Sequence, residues 1–167
     1  MMVKRPMVLL VASLGLAELA LPQASTVGVS GSDAIAVRQA SMDMSSVALH
    51  SMADAIRSGR EPKAEAYPAT ALAKWAKVVP AMFPPGTGKG DAAGDTQALP
   101  DIWKDRADFN RVAANYAAAT AELAVRAKAN DIPGFTRQLL VVDQACHSCH
   151  THYKEGMQSP ALDVTSR

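Results

Sequence analysis

Two cysteines and a histidine near the C-terminus have the spacing C-x-x-C-H, at Cys146, Cys149 and His150. Two thiols separated by two residues can each form a thioether with a vinyl group of a porphyrin, and the histidine that follows can bind the iron as an axial ligand. On a helix, Cys146 and His150 share a face because they are four residues apart. The chain contains only these two cysteines. The motif therefore predicts one covalently attached haem c, with Cys146 and Cys149 as its thioether residues and His150 as its axial iron ligand.

The same side chains leave two other chemistries open. Together with His147 or His152 they could form a zinc or copper site, although ligands on one helical stretch would be strained for tetrahedral closure. A thiol redox role normally belongs to a βαβ context, and no alternating strand pattern is visible in the chain. In the haem interpretation, both His147 and His152 are expected to face away from the haem because of their angle around the helix.

The N-terminal segment has the pattern of a secretory signal peptide. A short basic start at residues 1–5 is followed by a mostly apolar run over residues 7–21. This run is short and contains Glu18, so a membrane-spanning helix is the weaker interpretation. We predict a signal peptide over residues 1–24 and one domain over residues 25–167. In a bacterium, export would place this domain in the periplasm, where oxidising conditions are compatible with the motif.

The charge pattern narrows the expected partners. The whole chain has a formal net charge of +1, and removal of the leader takes away Lys4, Arg5 and Glu18, which leaves equal numbers of basic and acidic residues. No basic stripe is visible, so we expect neither nucleic acid nor stable membrane insertion after signal cleavage. No nucleophile, base and carboxylate pattern or phosphate-binding glycine motif is present, so we expect a protein that is not an enzyme.

Apolar residues recur every seven positions after residue 32, which predicts a helix with one buried face. These residues are Ile35, Met42, Leu49 and Ile56. Ser32 or Asp33 can cap this first helix, and Gly59 ends it. A second helix is expected from about Pro62 to about Met82.

The segment 84–100 is rich in proline and glycine, which predicts a long loop within the domain. A third helix is expected from the end of this loop to Asn130, and Asp131 can cap a fourth helix that Gly156 ends. An uninterrupted apolar seam runs along the fourth helix and includes both cysteines. Its members are Phe135, Leu139, Val142, Cys146, Cys149 and Tyr153. The patterns predict an all-α fold, a four-helix up-down bundle that encloses the haem.

In the order of its features, the chain resembles the class II c-type cytochromes, that is, cytochrome c-prime and its low-spin, Met/His-ligated relatives. The haem motif lies in the last helix of the chain, as it does in this family. Further segments in the family order are Arg38-Gln39 with Met42 four residues later, Phe83-Pro-Pro-Gly-Thr, Leu99-Pro-Asp-Ile-Trp103 and Asp108-Phe109. One departure follows the motif, because Tyr153 precedes Lys154 where the family commonly has arginine.

The resemblance implies roles for two residues of the first helix. In this family, the residue four positions after the arginine faces the iron opposite the histidine, and Met42 is at that position here. Met42 is therefore predicted as the distal axial ligand, which would raise the reduction potential of the haem and close the site. Arg38 is a candidate contact for a haem propionate, with a solvated helix residue as the alternative. Met44 and Met52 are less suitable ligands because of their positions on the helix.

Two functions remain open at this point. Met/His ligation implies a periplasmic electron-transfer protein, with redox partners that the sequence does not identify. If Met42 is core filler instead, the haem is five-coordinate and the protein binds small gases such as NO or CO. The outer faces of the first two helices are mixed in polarity, so both a monomer and a homodimer are compatible with the sequence.

Overall fold

The computed structural model describes residues 29–156 and 161–165, and the predicted signal peptide lies outside them. These residues form a bundle of α-helices, and no β-strand occurs among them. The helices are α1 (Gly31–Arg57), α2 (Ala66–Ala76), α3 (Asp101–Lys104), α4 (Arg106–Lys128) and α5 (Ile132–Tyr153). The all-α prediction is therefore confirmed. The long helix α4 packs against both α2 and α5, which places it at the centre of the bundle.

Helix α1 begins slightly earlier than the sequence pattern predicts. Its N-cap is Ser30, whose hydroxyl oxygen accepts a hydrogen bond from the backbone N–H of Asp33 at 3.1 Å. Ser32 already lies inside the helix, so the prediction of Ser32 or Asp33 as the cap is wrong by at least two residues. The predicted stop at Gly59 agrees with the structure, since Gly59 has a φ of 80° directly after the last turn.

The predicted second helix is wrong as a single element. Residues Pro62–Glu65 form a 3-10 turn, α2 follows, and Val79–Met82 form another 3-10 turn. Pro68 lies in the first turn of α2, where its missing N–H would have no helical partner anyway. Pro80 comes after the end of α2, and a helix that ran through it would lose a hydrogen bond.

The third predicted helix is also divided, whereas the fourth is continuous. Asp105 separates α3 from α4, because its carboxylate accepts from the backbone N–H of Asp108 at 2.9 Å and caps the new helix. Asp131 caps α5 as predicted, with its Oδ1 accepting from the Gly134 N–H at 3.0 Å. The last helix therefore runs without interruption from this cap to Tyr153 and carries the C-x-x-C-H motif in its final turns.

The apolar seam of α5 forms one wall of the core. Phe135, Leu139 and Val142 are completely buried, and they pack in one cluster with buried residues of α1, α2 and α4. Further along the same seam, Cys146 and Cys149 are only partly buried. The bundle is thus tightly filled around the first half of α5 and open around the second half.

Candidate cofactor site

A cleft opens beside the last turns of α5, between that helix, α1 and α4. Its lining is mostly apolar with a few polar side chains, which is typical of ligand and cofactor sites. Cys146, Cys149 and His150 line it from α5, and Met42 lines it from α1. The remaining walls are largely apolar. They include Leu49, Leu72, Val79, Ala113 and Val142.

A second cavity adjoins the first one. Met42, Cys149 and His150 line both spaces, and the second is further bounded by Arg38 and Tyr153. The residues that the sequence selects are therefore brought together from two helices that are about 100 positions apart in the chain.

The two cysteines are free thiols and lie partly buried against the core cluster. Burial raises the pKa of Cys146 to about 12, with a smaller contribution from Asp143, and burial raises the pKa of Cys149 to about 11. A reactive redox cysteine or a thiolate metal ligand needs the opposite shift. Within residues 29–156 and 161–165, no three His, Cys, Asp or Glu side chains converge as a metal-binding group. Both observations disfavour the zinc, copper and thiol redox alternatives.

His150 has the properties of an available axial ligand. Its ring is half-buried in the cleft, and no hydrogen bond to another described residue occupies it. Burial lowers the pKa of this imidazole, and the nearby Lys154 and His147 lower it further. The neutral imidazole, which is the form that binds a metal ion, is therefore favoured at neutral pH.

Met42 is the methionine of α1 that reaches the cleft. It is half-buried and packs partly against the core. Met44 points outward with 68% of its surface exposed, and Met52 is completely buried in the closed part of the core. Of these three methionines, Met42 alone lines the cleft together with His150.

Arg38 is not a solvated surface residue, because only 3% of its surface is exposed. Its guanidinium donates to Thr87 Oγ1 at 2.8 Å, to the Thr87 carbonyl at 2.5 Å and to Thr96 Oγ1 at 2.7 Å. It also lies over the Phe83 ring, 4.8 Å from the centroid. Arg38 therefore fixes the loop between residues 84 and 98 against α1. No carboxylate in the described residues forms an ion pair with it, and its side chain lines the second cavity.

Two further residues of the cleft were not identified from the sequence. The buried side chain of Tyr116 lines the cleft from α4, and burial raises the pKa of its phenol. His147 was expected to face away; instead it is half-buried and lines the cleft, with its ring hydrogen-bonded to the Asp143 carbonyl at 2.9 Å. The sequence did not predict that these two side chains line the cleft, because their placement depends on how α1 and α4 pack against α5. His152 is exposed, as expected.

The residues of the cleft fit a covalently bound haem. Two thiols and the His150 imidazole line a largely apolar space, and a methionine lines it from another helix. An apolar lining controls solvent access and the local dielectric at such a centre. The buried Arg38 guanidinium, which pairs with no carboxylate in the described part of the chain, supplies a cation beside the adjoining second cavity.

Comparisons with known proteins point to one family. A family model described as Cytochrome C' matches residues 33–154. Among curated proteins, cytochrome c' of Rubrivivax gelatinosus is 36% identical over 73 residues, covering 44% of this chain and 54% of that protein. Cytochrome c-556 of Agrobacterium tumefaciens is 34% identical over 103 residues, covering 60% of this chain and 80% of that protein. The chain spans about half the length of the first curated relatives that it matches.

The fold is also similar to solved structures. The crystal structure of cytochrome c' from Rubrivivax gelatinosus superposes with a TM-score of 0.67 at 27% identity, covering 75% of this chain and 98% of that one. In the described part of the chain, none of the helices is long and apolar enough to span a membrane.

Proposed function

The chain belongs to the cytochrome c' family, and on this premise we propose that it is a periplasmic monohaem electron carrier and not an enzyme. Proteins of this family carry covalently attached haem c. We assign Cys146 and Cys149 as the thioether residues and His150 as the axial ligand. The observation that supports this assignment best is that all three line one apolar cleft, whose other wall holds Met42.

The haem, when bound, supplies one-electron chemistry by cycling between ferrous and ferric iron. The chain's own residues hold and insulate it. Burial keeps the His150 ring neutral, as a ligand must be, and the apolar walls restrict water. Packing of α5 against the buried cluster below the motif holds the ligand side of the cleft in one position. An apolar site on a well-packed helix suits electron transfer with little rearrangement.

We further propose Met42 as the distal axial ligand. Its thioether is on α1, and the same two cavities that Met42 lines are lined by His150. A soft thioether ligand raises the reduction potential relative to an open site. Arg38 remains a predicted propionate contact, supported by its position beside the second cavity and by the lack of a carboxylate partner in the described residues.

The test is spectroscopy of the ferric holoprotein, produced with a cytochrome c maturation system. We expect a haem c signature in the pyridine haemochrome assay and a low-spin absorption and EPR spectrum. Met42→Ala should convert the spectrum to high spin, whereas Met44→Ala, which alters an exposed side chain of the same helix, should not. A colourless folded product would contradict the assignment of the whole site.

A second function is supported by the comparisons, because the first curated relatives and the solved structure are named cytochrome c'. In this alternative, Met42 packs aside and the haem is five-coordinate, so that the apolar cleft admits NO or CO. A high-spin ferric spectrum in the unaltered protein, unchanged in Met42→Ala and accompanied by rapid CO uptake after reduction, would favour this function over the first.

A further inference from the structure

Tyr153 combines a position beside the cofactor site with a hydrogen bond to a carboxylate. It is the last residue of α5, is buried, and lines the second cavity together with Cys149 and His150. Its hydroxyl donates to Asp108 Oδ2 at 2.7 Å. A phenol in this arrangement can lose an electron and a proton together, because the proton acceptor is already hydrogen-bonded to it.

Asp108 is suited to accept that proton and to pass it on. Arg111 holds the carboxylate through hydrogen bonds from Nε at 2.9 Å and from a terminal nitrogen at 2.5 Å. The Asp108 side chain is 40% exposed, so a proton that arrives there has access to solvent. The hydrogen bonds from Tyr153 and Arg111 lower the pKa of Asp108, which keeps the carboxylate ionised at neutral pH. Burial and Asp108 raise the pKa of Tyr153 to about 12, so the phenol keeps its proton until it is oxidised.

A row of aromatic rings, packed edge to face or tilted, leads from Tyr153 towards the surface. The Tyr153 and Phe109 ring centroids are 5.2 Å apart, those of Phe109 and Phe83 are 5.1 Å apart, and those of Phe83 and Trp103 are 6.5 Å apart. Phe83 lines both the second cavity and a groove on the outer side of the loop, where Trp103 is also found. The aromatic row therefore has an oxidisable residue at each end. Tyr153 lies beside the cofactor cleft, and Trp103 lies in the outer groove.

We propose that Tyr153 is a redox-active tyrosine, which gives an electron to the cofactor site when a peroxide has over-oxidised it, while the phenolic proton moves to Asp108. This inference rests on the proposed function in its five-coordinate alternative, because it requires a haem in the cleft that Met42 leaves open to a peroxide. It adds a role that electron carriage itself does not need, namely the removal of oxidising equivalents from the centre of the bundle to its surface.

The electrons and protons balance as follows. Reduction of a peroxide to water takes two electrons and two protons. Tyr153 supplies the first electron, its O–H bond breaks, and a new O–H bond forms on Asp108, which leaves a neutral tyrosyl radical. Trp103 supplies the second electron through the aromatic row and becomes a cation radical that keeps its N–H proton. This proton is already donated to the carbonyls of Phe83 and Pro84, both at 3.2 Å, and carbonyls are not bases. Because the Tyr153 proton is now on Asp108, both protons that the peroxide oxygens take up come from solvent.

The experiment is freeze-quench EPR of the ferric holoprotein after mixing with hydrogen peroxide, with and without ring-deuterated tyrosine. We expect a tyrosyl signal that narrows on deuteration and is lost in Tyr153→Phe, a variant that keeps the ring on Phe109. Tyr67→Phe, which changes an 84% exposed side chain, should leave the signal unchanged. Loss of the signal in Tyr116→Phe, or its persistence in Tyr153→Phe, would overturn the proposal, because Tyr116 is the other tyrosine that lines the cleft.

Two further variants test proton transfer to Asp108 and electron transfer from Trp103 through the aromatic row. Asp108→Asn should slow radical formation, whereas Asp101→Asn, which removes another exposed carboxylate, should not. Trp103→Phe should prolong the tyrosyl signal, and Trp75→Phe should leave its lifetime unchanged. Equal rates and lifetimes in all four proteins would contradict the proposed route. The pyridine haemochrome assay on each sample separates these failures from absence of haem, which would contradict the proposed function instead.

Discussion

The two halves of α5 differ in how completely their apolar seam is covered, although the seam itself is continuous. In the first half, Phe135, Leu139 and Val142 are completely buried. In the second half, Cys146 and Cys149 are only partly buried and face the cleft. The same helix thus builds a closed core at one end of the bundle and a lined space at the other.

This difference indicates where stability and function reside. The closed half, with Met52 and Leu123 also completely buried, contributes apolar burial that needs no cofactor. The cleft half leaves apolar surface that a bound haem would cover, so its packing is complete only in the holoprotein. Beside the second cavity, the loop between residues 84 and 98 is held to α1 by a polar anchor, Arg38, which donates hydrogen bonds to Thr87 and Thr96.

The largest effect is expected from removing both thiols at the open half. The double variant Cys146→Ser, Cys149→Ser should carry no covalent haem, because no other cysteine is present to form a thioether. Haem staining of a denaturing gel checks this. Ser148→Ala, within the same motif, should retain the stain. Covalent haem in the double variant would refute the assignment of these cysteines.

A large effect on stability is expected at the closed half. Leu139→Ala removes a completely buried side chain and should lower the free energy of unfolding by about 2–5 kcal/mol. Leu140→Ala, at the neighbouring and 43% exposed position, should change it by less than about 1 kcal/mol. Urea unfolding of the holoproteins measures both values, and the ferric absorption spectrum should be unchanged in each. A similar loss for both variants would show that the two faces of α5 do not differ as described.

An intermediate effect is expected at Arg38, the polar anchor beside the second cavity. Arg38→Gln shortens the side chain that donates hydrogen bonds to Thr87 and Thr96, so these buried oxygens lose their donors. The free energy of unfolding should fall by about 1–3 kcal/mol. We also expect faster hydrogen exchange in the loop between residues 84 and 98. Arg137→Gln, an exposed position on α5, serves as the control. Unchanged exchange in Arg38→Gln would contradict the role of the anchor.

The smallest effect is expected at the start of α5, where Asp131 caps the closed half. Its hydrogen bond from the Gly134 N–H and its contact with Arg126 lower the pKa of Asp131 below its ordinary value near 4. A depressed folded-state pKa contributes stability above the ordinary pKa, and this stability is lost as the pH falls through the folded-state value. Asp131→Asn should therefore weaken the acid dependence of thermal unfolding below about pH 4. The exposed loop variant Asp95→Asn should retain that dependence.

Local signals in the sequence predicted a large part of the fold. Asp131 as the cap of α5, the seam from Phe135 to Tyr153 and the loop after Phe83 all follow from nearby residues, and the structure confirms them. The division of the second helix was missed because the apolar pattern continues through Pro80, although the backbone cannot. The earlier start of α1 was missed because Ser30, Ser32 and Asp33 are all suitable caps, and local preference does not distinguish them.

By itself, the sequence determined which residues are available for the predicted chemistry, because C-x-x-C-H is a local motif whose spacing predicts thioether attachment next to an axial histidine. Only the tertiary structure decided what surrounds that motif. Arg38 meets Thr87 and Thr96 across 49 and 58 positions of the chain, and Tyr153 meets Asp108 across 45. Contacts over such separations depend on how helices pack and loops return, and helical periodicity carries no information about them.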